Sequence, residues 1–208
     1  MRIDYLAPGP DRAGRYSVRF DDGSVLRLYR QTLEDFSLYA GKELSAECYK
    51  NISEAAGKMS AKMRAVRIVS ASSVSKKDLQ QRLVQKGEEE EHAIEAVRWM
   101  EELHLVDDRA TAEQVVHSCI SKGYGISRAK QALYEKRIPK VYWDEALAEY
   151  PDQNEKIMSF LRSRLDAESD RRDIKRAVDA LIRRGHSYPQ IRSALERLRL
   201  DAEEFPEE

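Results

Sequence analysis

The chain is most constrained by a short leucine motif that occurs three times at nearly equal spacing. Leu83, Leu133 and Leu181 each stand three residues before a basic residue, which is followed by Gly or Arg. The leucines are 50 and 48 residues apart, and a small or apolar residue lies four positions before each of them. Because self-similarity at a period of about 20–50 residues is typical of repeat proteins, this spacing predicts tandem copies of one helical unit.

Apolar residues recur with the helical period from Lys58 almost to the end of the chain. Each copy of the motif is preceded by one apolar helical stretch and followed by a shorter one. We therefore predict a mainly α fold, with three tandem three-helix repeats in an elongated, curved array. The predicted repeats cover residues 58–108, 109–150 and 151–200, and Pro189 is expected near the start of the last helix.

The two ends of the chain differ from the repeats. Residues 16–20 alternate apolar and polar side chains, and a second β-like run follows Asp22-Gly23. This pattern predicts a small β-hairpin with a type I′ turn, accompanied by short helices, within residues 1–57. Two strands alone are marginally stable in water, so the hairpin needs a partner surface. Residues 201–208 hold five acids and no base, which predicts a solvated acidic tail.

Composition narrows the class of protein further. Only 8% of the residues are aromatic, which argues against a β-sandwich or barrel. The chain has no long apolar run, its first residues lack the apolar core of a signal peptide, and Cys48 and Cys119 are far apart. These features predict a cytoplasmic protein without a membrane partner.

Charge is distributed in blocks, although 36 basic and 37 acidic residues give a net charge of −1. Residues 58–86 hold eight bases and one acid, 122–143 six bases and one acid, and 162–199 eleven bases and six acids. Residues 87–108 are the reverse, with nine acids and one base. One basic stretch per repeat predicts a basic side of the array that attracts a phosphate backbone or an acidic protein groove, although solvated helix faces would look similar.

The basic residues of these stretches are the predicted partner-binding residues, and their predicted role is electrostatic contact. They are Lys76, Lys77, Arg82, Lys86, Lys122, Arg128, Lys130, Lys136, Arg171, Arg172, Lys175, Arg176, Arg183 and Arg184.

No catalytic residue, cofactor or metal site is predicted. Glu88–Glu91 followed by His92 resembles a ligand cluster, but acids in the first turn of a helix are explained by the helix dipole. His117 and Cys119 are two residues apart, so they do not face each other on a helix as an activated nucleophile requires.

Several further residues are interpreted as structural. Residues 123–125, Gly-Tyr-Gly, are predicted to form a turn between helices and not a phosphate-binding loop. Asp107-Asp108 is predicted to form an N-cap and its neighbour, with Asp108 accepting backbone N–H bonds at the start of the helix that follows. Burial is expected for Tyr124, Tyr134 and Trp143, although one or two of them could face a partner.

Short motifs follow one another in a fixed order along the repeats. They are Ser75, Leu79, Leu83, Lys86-Gly87, Asp107-Asp108, Ala112-Glu113, Lys122-Gly123-Tyr124-Gly125, Leu133 and Lys136-Arg137-Ile138. The order of these motifs resembles the RecX family, the bacterial regulators of the RecA recombinase. The first repeat is similar to the family's opening repeat, and the resemblance covers about residues 60–198. Arg137 stands where the family has Gly.

The resemblance implies a non-catalytic monomer that lies in the groove of the RecA filament on DNA. Such a protein would modulate the recombinase, ATPase and coprotease activities of the filament, with inhibition as the expected direction. It would act in recombination, DNA repair and the SOS response, and would bind single-stranded or duplex DNA weakly. Two alternatives stay open: a helical-repeat regulator that binds nucleic acid directly, and a helical scaffold for an acidic protein.

Overall fold

Helices dominate the described part of the chain, as the apolar periodicity predicts. The structure is a computed structural model that describes residues 1–9, 14–166 and 168–198. It forms two compact units, an N-terminal unit of Met1–Val106 and a C-terminal unit that begins at Asp107. In the described ranges, every helix is too short or too polar to cross a membrane. The predicted acidic tail, 201–208, lies outside the described residues.

The N-terminal unit begins with a three-stranded antiparallel sheet. The strands are β1 (Ile3–Pro8), β2 (Arg15–Phe20) and β3 (Val25–Tyr29), and they are arranged in that order. The predicted hairpin is confirmed as β2 and β3. The first strand, β1, was not predicted because its sequence lacks a clear alternation, and it becomes a strand by pairing with β2.

The predicted type I′ turn of this hairpin is wrong. Gly23 has a φ of +81°, whereas Asp22 is absent from the residues with positive φ. The Gly23 N–H donates to the Phe20 carbonyl at 2.9 Å, and the Phe20 N–H donates to the Ser24 carbonyl at 2.9 Å. This pattern is a three-residue loop in which a type I turn is followed by one left-handed glycine. The Asp22 carboxylate supports it by accepting a bond from the Ser24 N–H at 2.9 Å.

One long helix connects the two cores of the N-terminal unit. Ile52 packs with the sheet, whereas Ala61 and Ala65 lie fully buried in a second core. The helix is continuous through 57/58, so the predicted start of the first repeat lies inside it. The helices of this unit are α1 (Arg30–Asp35), α2 (Ala46–Ala71), α3 (Lys76–Gln85) and α4 (Glu90–Glu102).

The C-terminal unit contains one core around Leu133 and a second around Leu181. Pro189 lies in the first turn of the last helix, as predicted. The predicted cap at Asp108 is wrong by one residue. The Asp107 carboxylate accepts bonds from the backbone of Arg109 (2.8 Å) and Ala110 (3.2 Å). The helices are α5 (Asp108–Ser121), α6 (Ile126–Glu135), a 3₁₀ turn (Lys140–Tyr142), α7 (Trp143–Leu147), α8 (Asn154–Arg162), α9 (Arg171–Arg183) and α10 (Tyr188–Arg197).

The repeated leucine motif is a helix-ending hydrogen-bond pattern. In each copy, the carbonyl of the buried leucine accepts a bond from the N–H five residues later, across a residue with left-handed φ. The bonds are Leu83 to Glu88 (3.1 Å), Leu133 to Ile138 (3.1 Å) and Leu181 to His186 (3.2 Å). The left-handed residues are Gly87 (φ +90°), Arg137 (+54°) and Gly185 (+86°).

Arg137 adopts the left-handed conformation that glycine adopts in the other two copies. For a residue with a Cβ this conformation costs roughly 1–2 kcal/mol. We therefore expect Arg137→Gly to raise the free energy of unfolding by about 0.5–1 kcal/mol, measured by urea denaturation.

Lys136→Gly is the matched control, because Lys136 has an ordinary φ of −80°. That change should lower stability by at least about 0.5–1 kcal/mol, because glycine adds conformational freedom to the unfolded chain and relieves no backbone strain at this φ. Equal effects of the two substitutions would contradict the role of the left-handed residue.

Candidate functional site

Two glycine turns of the C-terminal unit pack backbone against backbone. Residues 123–125 connect α5 to α6, as predicted, and the Gly125 N–H donates to the Arg184 carbonyl at 2.9 Å. A Cβ on Gly125 would lie 2.0 Å from the Gly185 carbonyl oxygen, and a Cβ on Gly185 would lie 2.3 Å from the Arg128 backbone nitrogen. Only glycine fits at this contact, which brings the start of α6 beside the end of α9.

A buried side chain and a half-buried one hold the first glycine turn in place. His186 is 5% exposed, and its Nε2 lies 3.0 Å from the Gly123 carbonyl oxygen. Because a carbonyl only accepts hydrogen bonds, Nε2 is the donor. The Tyr150 hydroxyl donates to the Tyr124 carbonyl at 2.7 Å, and burial raises the pKa of Tyr150 to about 12. The backbone of the turn is therefore bonded to His186, which lies just before the N-cap of α10, and to the segment after α7.

The contact between the turns creates a cleft of about 380 Å³, which we call the arginine cleft. The Cζ atoms of Arg184 and Arg164 lie 4.7 Å and 5.3 Å from the centre of the Phe160 ring. Guanidinium groups at this distance interact favourably with an aromatic ring, which restricts their orientation. The polar and aromatic residues of the cleft are Tyr124, Arg128, Phe160, Arg164, Arg183 and Arg184.

The arginine cleft carries positive charge with little local compensation. Arg128 pairs with Glu135 at 3.0 Å. In the part of the chain that the structure describes, no carboxylate pairs with Arg164, Arg183 or Arg184, and no acidic residue lines the cleft. Arg164 and Arg183 are exposed to solvent. Such a cleft attracts anions, because each guanidinium presents several N–H donors to one oxyanion.

The structure brings three of the predicted partner-binding residues together in the cleft: Arg128, Arg183 and Arg184. Sequence reasoning missed Arg164 and Phe160. The signal was available in principle, because residues four apart lie on the same face of a helical stretch. The four-residue spacing would have identified Phe160 and Arg164 as a pair, but not the glycine turn that lies against them.

The other predicted residues of the C-terminal unit lie outside the cleft. On α9, the exposed side chains are those of Arg171, Arg172, Lys175 and Arg176, and Arg176 is 3.2 Å from Asp173. Three further residues lie elsewhere on the surface, with Lys136 half-buried and the other two, Lys122 and Lys130, exposed.

The predicted residues of the N-terminal unit all lie on or next to α3. Lys76 pairs with Glu101 at 2.8 Å, and Arg82 pairs with the buried Asp78 at 2.9 Å. Lys77 and Lys86 are exposed. The two exposed residues are therefore the ones of this helix best placed to contact a partner.

Glu88, the first acid of the run 88–91, and His92, which follows the run, make contacts between helices. The Glu88 carboxylate is 7% exposed and accepts bonds from Arg64 Nε at 2.5 Å and Ser60 Oγ at 3.0 Å. His92 Nε2 lies 3.2 Å from Glu54 Oε1, and this contact lowers the pKa of Glu54. These side chains link α2 to the start of α4.

Two further predictions have different outcomes. Burial was expected for Tyr134, but its side chain is 72% exposed because α6 turns this position to solvent. Trp143 is half-buried, and its Nε1 donates to the Ile138 carbonyl at 3.0 Å.

Burial raises the pKa of the Cys119 thiol, so this residue is protonated at neutral pH.

Comparison with known proteins assigns the family. The family model described as "RecX, second three-helix domain" matches residues 107–147. A regulatory protein RecX of Clostridioides difficile is 27% identical over 191 residues, which cover 88% of this chain and 89% of the relative. The regulatory protein RecX of Vibrio campbellii is 30% identical over 145 residues, which cover 66% of this chain and 90% of the relative. The chain belongs to the RecX family.

Solved structures of the RecX family agree with the fold. A crystal structure of regulatory protein RecX superposes with a TM-score of 0.61 and 22% identity, covering 95% of this chain and 98% of that one. RecX from Lactobacillus salivarius gives a TM-score of 0.59 over 70% of this chain. The predicted resemblance and the mainly helical fold with a small N-terminal sheet are confirmed.

The glycine contact predicts different costs for two substitutions to alanine. Gly87→Ala meets open space and should lower the free energy of unfolding by about 1 kcal/mol, through backbone strain alone. Gly185→Ala adds a clash with the Arg128 backbone and should cost about 3 kcal/mol or more in urea denaturation. Similar losses for the two variants would show that the close contact is not required.

His186 predicts a loss of stability in acid. Burial lowers the pKa of His186 below its ordinary value of 6.5, and the Arg184 charge acts in the same direction. The unfolded chain therefore binds more protons as the pH falls below about 6.5, and the free energy of unfolding decreases. Its Nδ1 is buried with no hydrogen-bond partner among the described residues, so the added proton would be unsatisfied.

The measurement is urea denaturation of the wild type and His186→Gln between pH 7.5 and 5. The variant should lose part of the pH dependence, whereas His117→Gln, at an exposed position, should keep it. An unchanged slope in His186→Gln would contradict the assignment.

Proposed function

We propose that this protein binds the filament that RecA recombinase forms on DNA and modulates its recombinase, ATPase and coprotease activities. It acts without catalysis, as a cytoplasmic monomer, and the expected direction is inhibition. The observation that carries the proposal is membership of a family of regulatory proteins, with a similarity that extends over 88% of the chain to one of its members.

The surface of the protein supports this proposal. None of the predicted partner-binding residues is buried, and both units present exposed basic side chains on helices. A nucleoprotein filament is anionic through its DNA, and charge complementarity increases the rate and selectivity of such an encounter. Because the net charge of the whole protein is only −1, this attraction acts mainly close to the basic helices.

The arginine cleft favours a second candidate, a regulator that acts directly on nucleic acid. A direct regulator would bind duplex with sequence preference in the absence of recombinase. A filament regulator would instead bind the assembled filament more tightly than bare DNA or recombinase alone.

Co-sedimentation separates these candidates. The protein is centrifuged with recombinase filaments on single-stranded DNA, with the DNA alone and with the recombinase alone, over a series of salt concentrations. The proposal expects the largest pelleted fraction with filaments, decreasing as salt rises. Equal pelleting with bare DNA would reject filament recognition.

Charge reversal tests the role of the exposed basic helices. Lys77→Glu on α3 and Lys175→Glu on α9 should each weaken filament binding about fivefold, because each replaces an attraction by a repulsion. Both positions are exposed, so helicity by circular dichroism should be unchanged.

Lys50→Glu is the control, since Lys50 is exposed on α2 and outside the basic stretches. If its effect equals that of the other two reversals, only net charge matters and the assignment of binding residues is wrong.

A further inference from the structure

The arginine cleft has the properties of an anion site that is formed before the ligand arrives. Two of its guanidinium groups are oriented by the Phe160 ring, and the backbone bond between Gly125 and Arg184 holds its two sides together. Little reorganisation is needed on binding, so the electrostatic gain is not offset by a large loss of side-chain entropy. Bringing these like charges together is unfavourable, and a bound anion would relieve their repulsion.

We propose that the arginine cleft binds phosphates of a DNA backbone. The four arginines supply planar N–H donors, which match the oxygens of a phosphodiester group. The aromatic rings of Tyr124 and Phe160 at the same site provide apolar surface for the adjacent sugar or base.

The surface next to the cleft favours a phosphate chain over an acidic protein segment. Ala180 of α9 lines the cleft, and Arg176 and Arg172 precede it by four and eight residues. These positions lie on the same face of α9, separated by about 6 Å per step. Arg172 and Arg176 are both exposed, and Arg176 also pairs with Asp173.

DNA carries one negative charge at every nucleotide, so one strand can contact the arginine cleft together with Arg176 and Arg172 of α9. A protein segment would need acidic residues at successive positions to do the same. The inference rests on the proposed function in one respect: within the cell, the DNA concerned is that of the recombinase filament.

The test measures direct binding of the full chain to a fluorescein-labelled 20-nucleotide thymidine strand by anisotropy, without recombinase. The variant Arg164→Gln/Arg183→Gln removes two exposed charges of the cleft. Its affinity should fall at least tenfold, and the slope of log K against log salt should decrease by about 1.4, or about 0.7 for each lost phosphate contact. A duplex of the same length shows which form of DNA the cleft prefers.

The control variant, Arg98→Gln/Arg162→Gln, removes the same charge from exposed positions outside the cleft. It should change the affinity by less than twofold. Equal losses in the two variants would overturn the inference, because they would show a general charge effect. The inference would also be overturned if the cleft variant lost binding to a labelled polyglutamate peptide while its DNA binding stayed unchanged. That result would identify an acidic protein as the occupant.

The same variants in the filament co-sedimentation assay separate this inference from the proposed function. Lost DNA binding with retained filament binding supports the phosphate site and leaves filament recognition to protein contacts. Wild-type protein that binds DNA through the cleft but does not pellet with filaments rejects the proposed function alone. If the wild type pellets with filaments and the cleft variant binds DNA as tightly as the wild type does, the phosphate site alone is rejected.

Discussion

The left-handed residue that ends each motif helix is the constraint on which the C-terminal unit depends. It lets the carbonyl of a buried leucine bond to a backbone N–H five residues later, so the helix stops and the chain reverses over the core. At Gly185 the absence of a Cβ also allows a second turn, at Gly125, to lie directly against the backbone. The main effect of the repeated motif is therefore to end a helix and reverse the chain. The charge of its basic residue is a secondary effect.

The site follows from that backbone contact. The basic residue before the left-handed position lies at the end of its helix, and in the third copy this residue is Arg184. The contact between turns places Arg184 beside Arg128 of α6. Arg164, two residues after α8, and Arg184 both lie against the Phe160 ring. Charges that are far apart in the chain thus become one electropositive cleft, although the net charge of the protein is −1.

Much of the architecture was predictable because it depends on local patterns. The apolar period predicted the helices, and the alternation around Asp22-Gly23 predicted the hairpin. Errors arose where a neighbour in space decides the outcome: β1 is a strand because β2 pairs with it, and α2 continues through residue 57 because both of its halves have a core to cover. The N-cap moved from Asp108 to Asp107, a one-residue choice that a pattern does not resolve.

The sequence by itself determined the helical class, the spacing of the helix-ending motifs, the segregation of charge and, through those motifs, the resemblance to the RecX family. Each of these depends on residues close together in the chain. Only the tertiary structure decided which basic side chains share one cleft and which are already paired with acids, as Lys76 and Arg82 are. The physical reason is that charge interactions depend on distances in space, and the contact between two glycine turns sets those distances here.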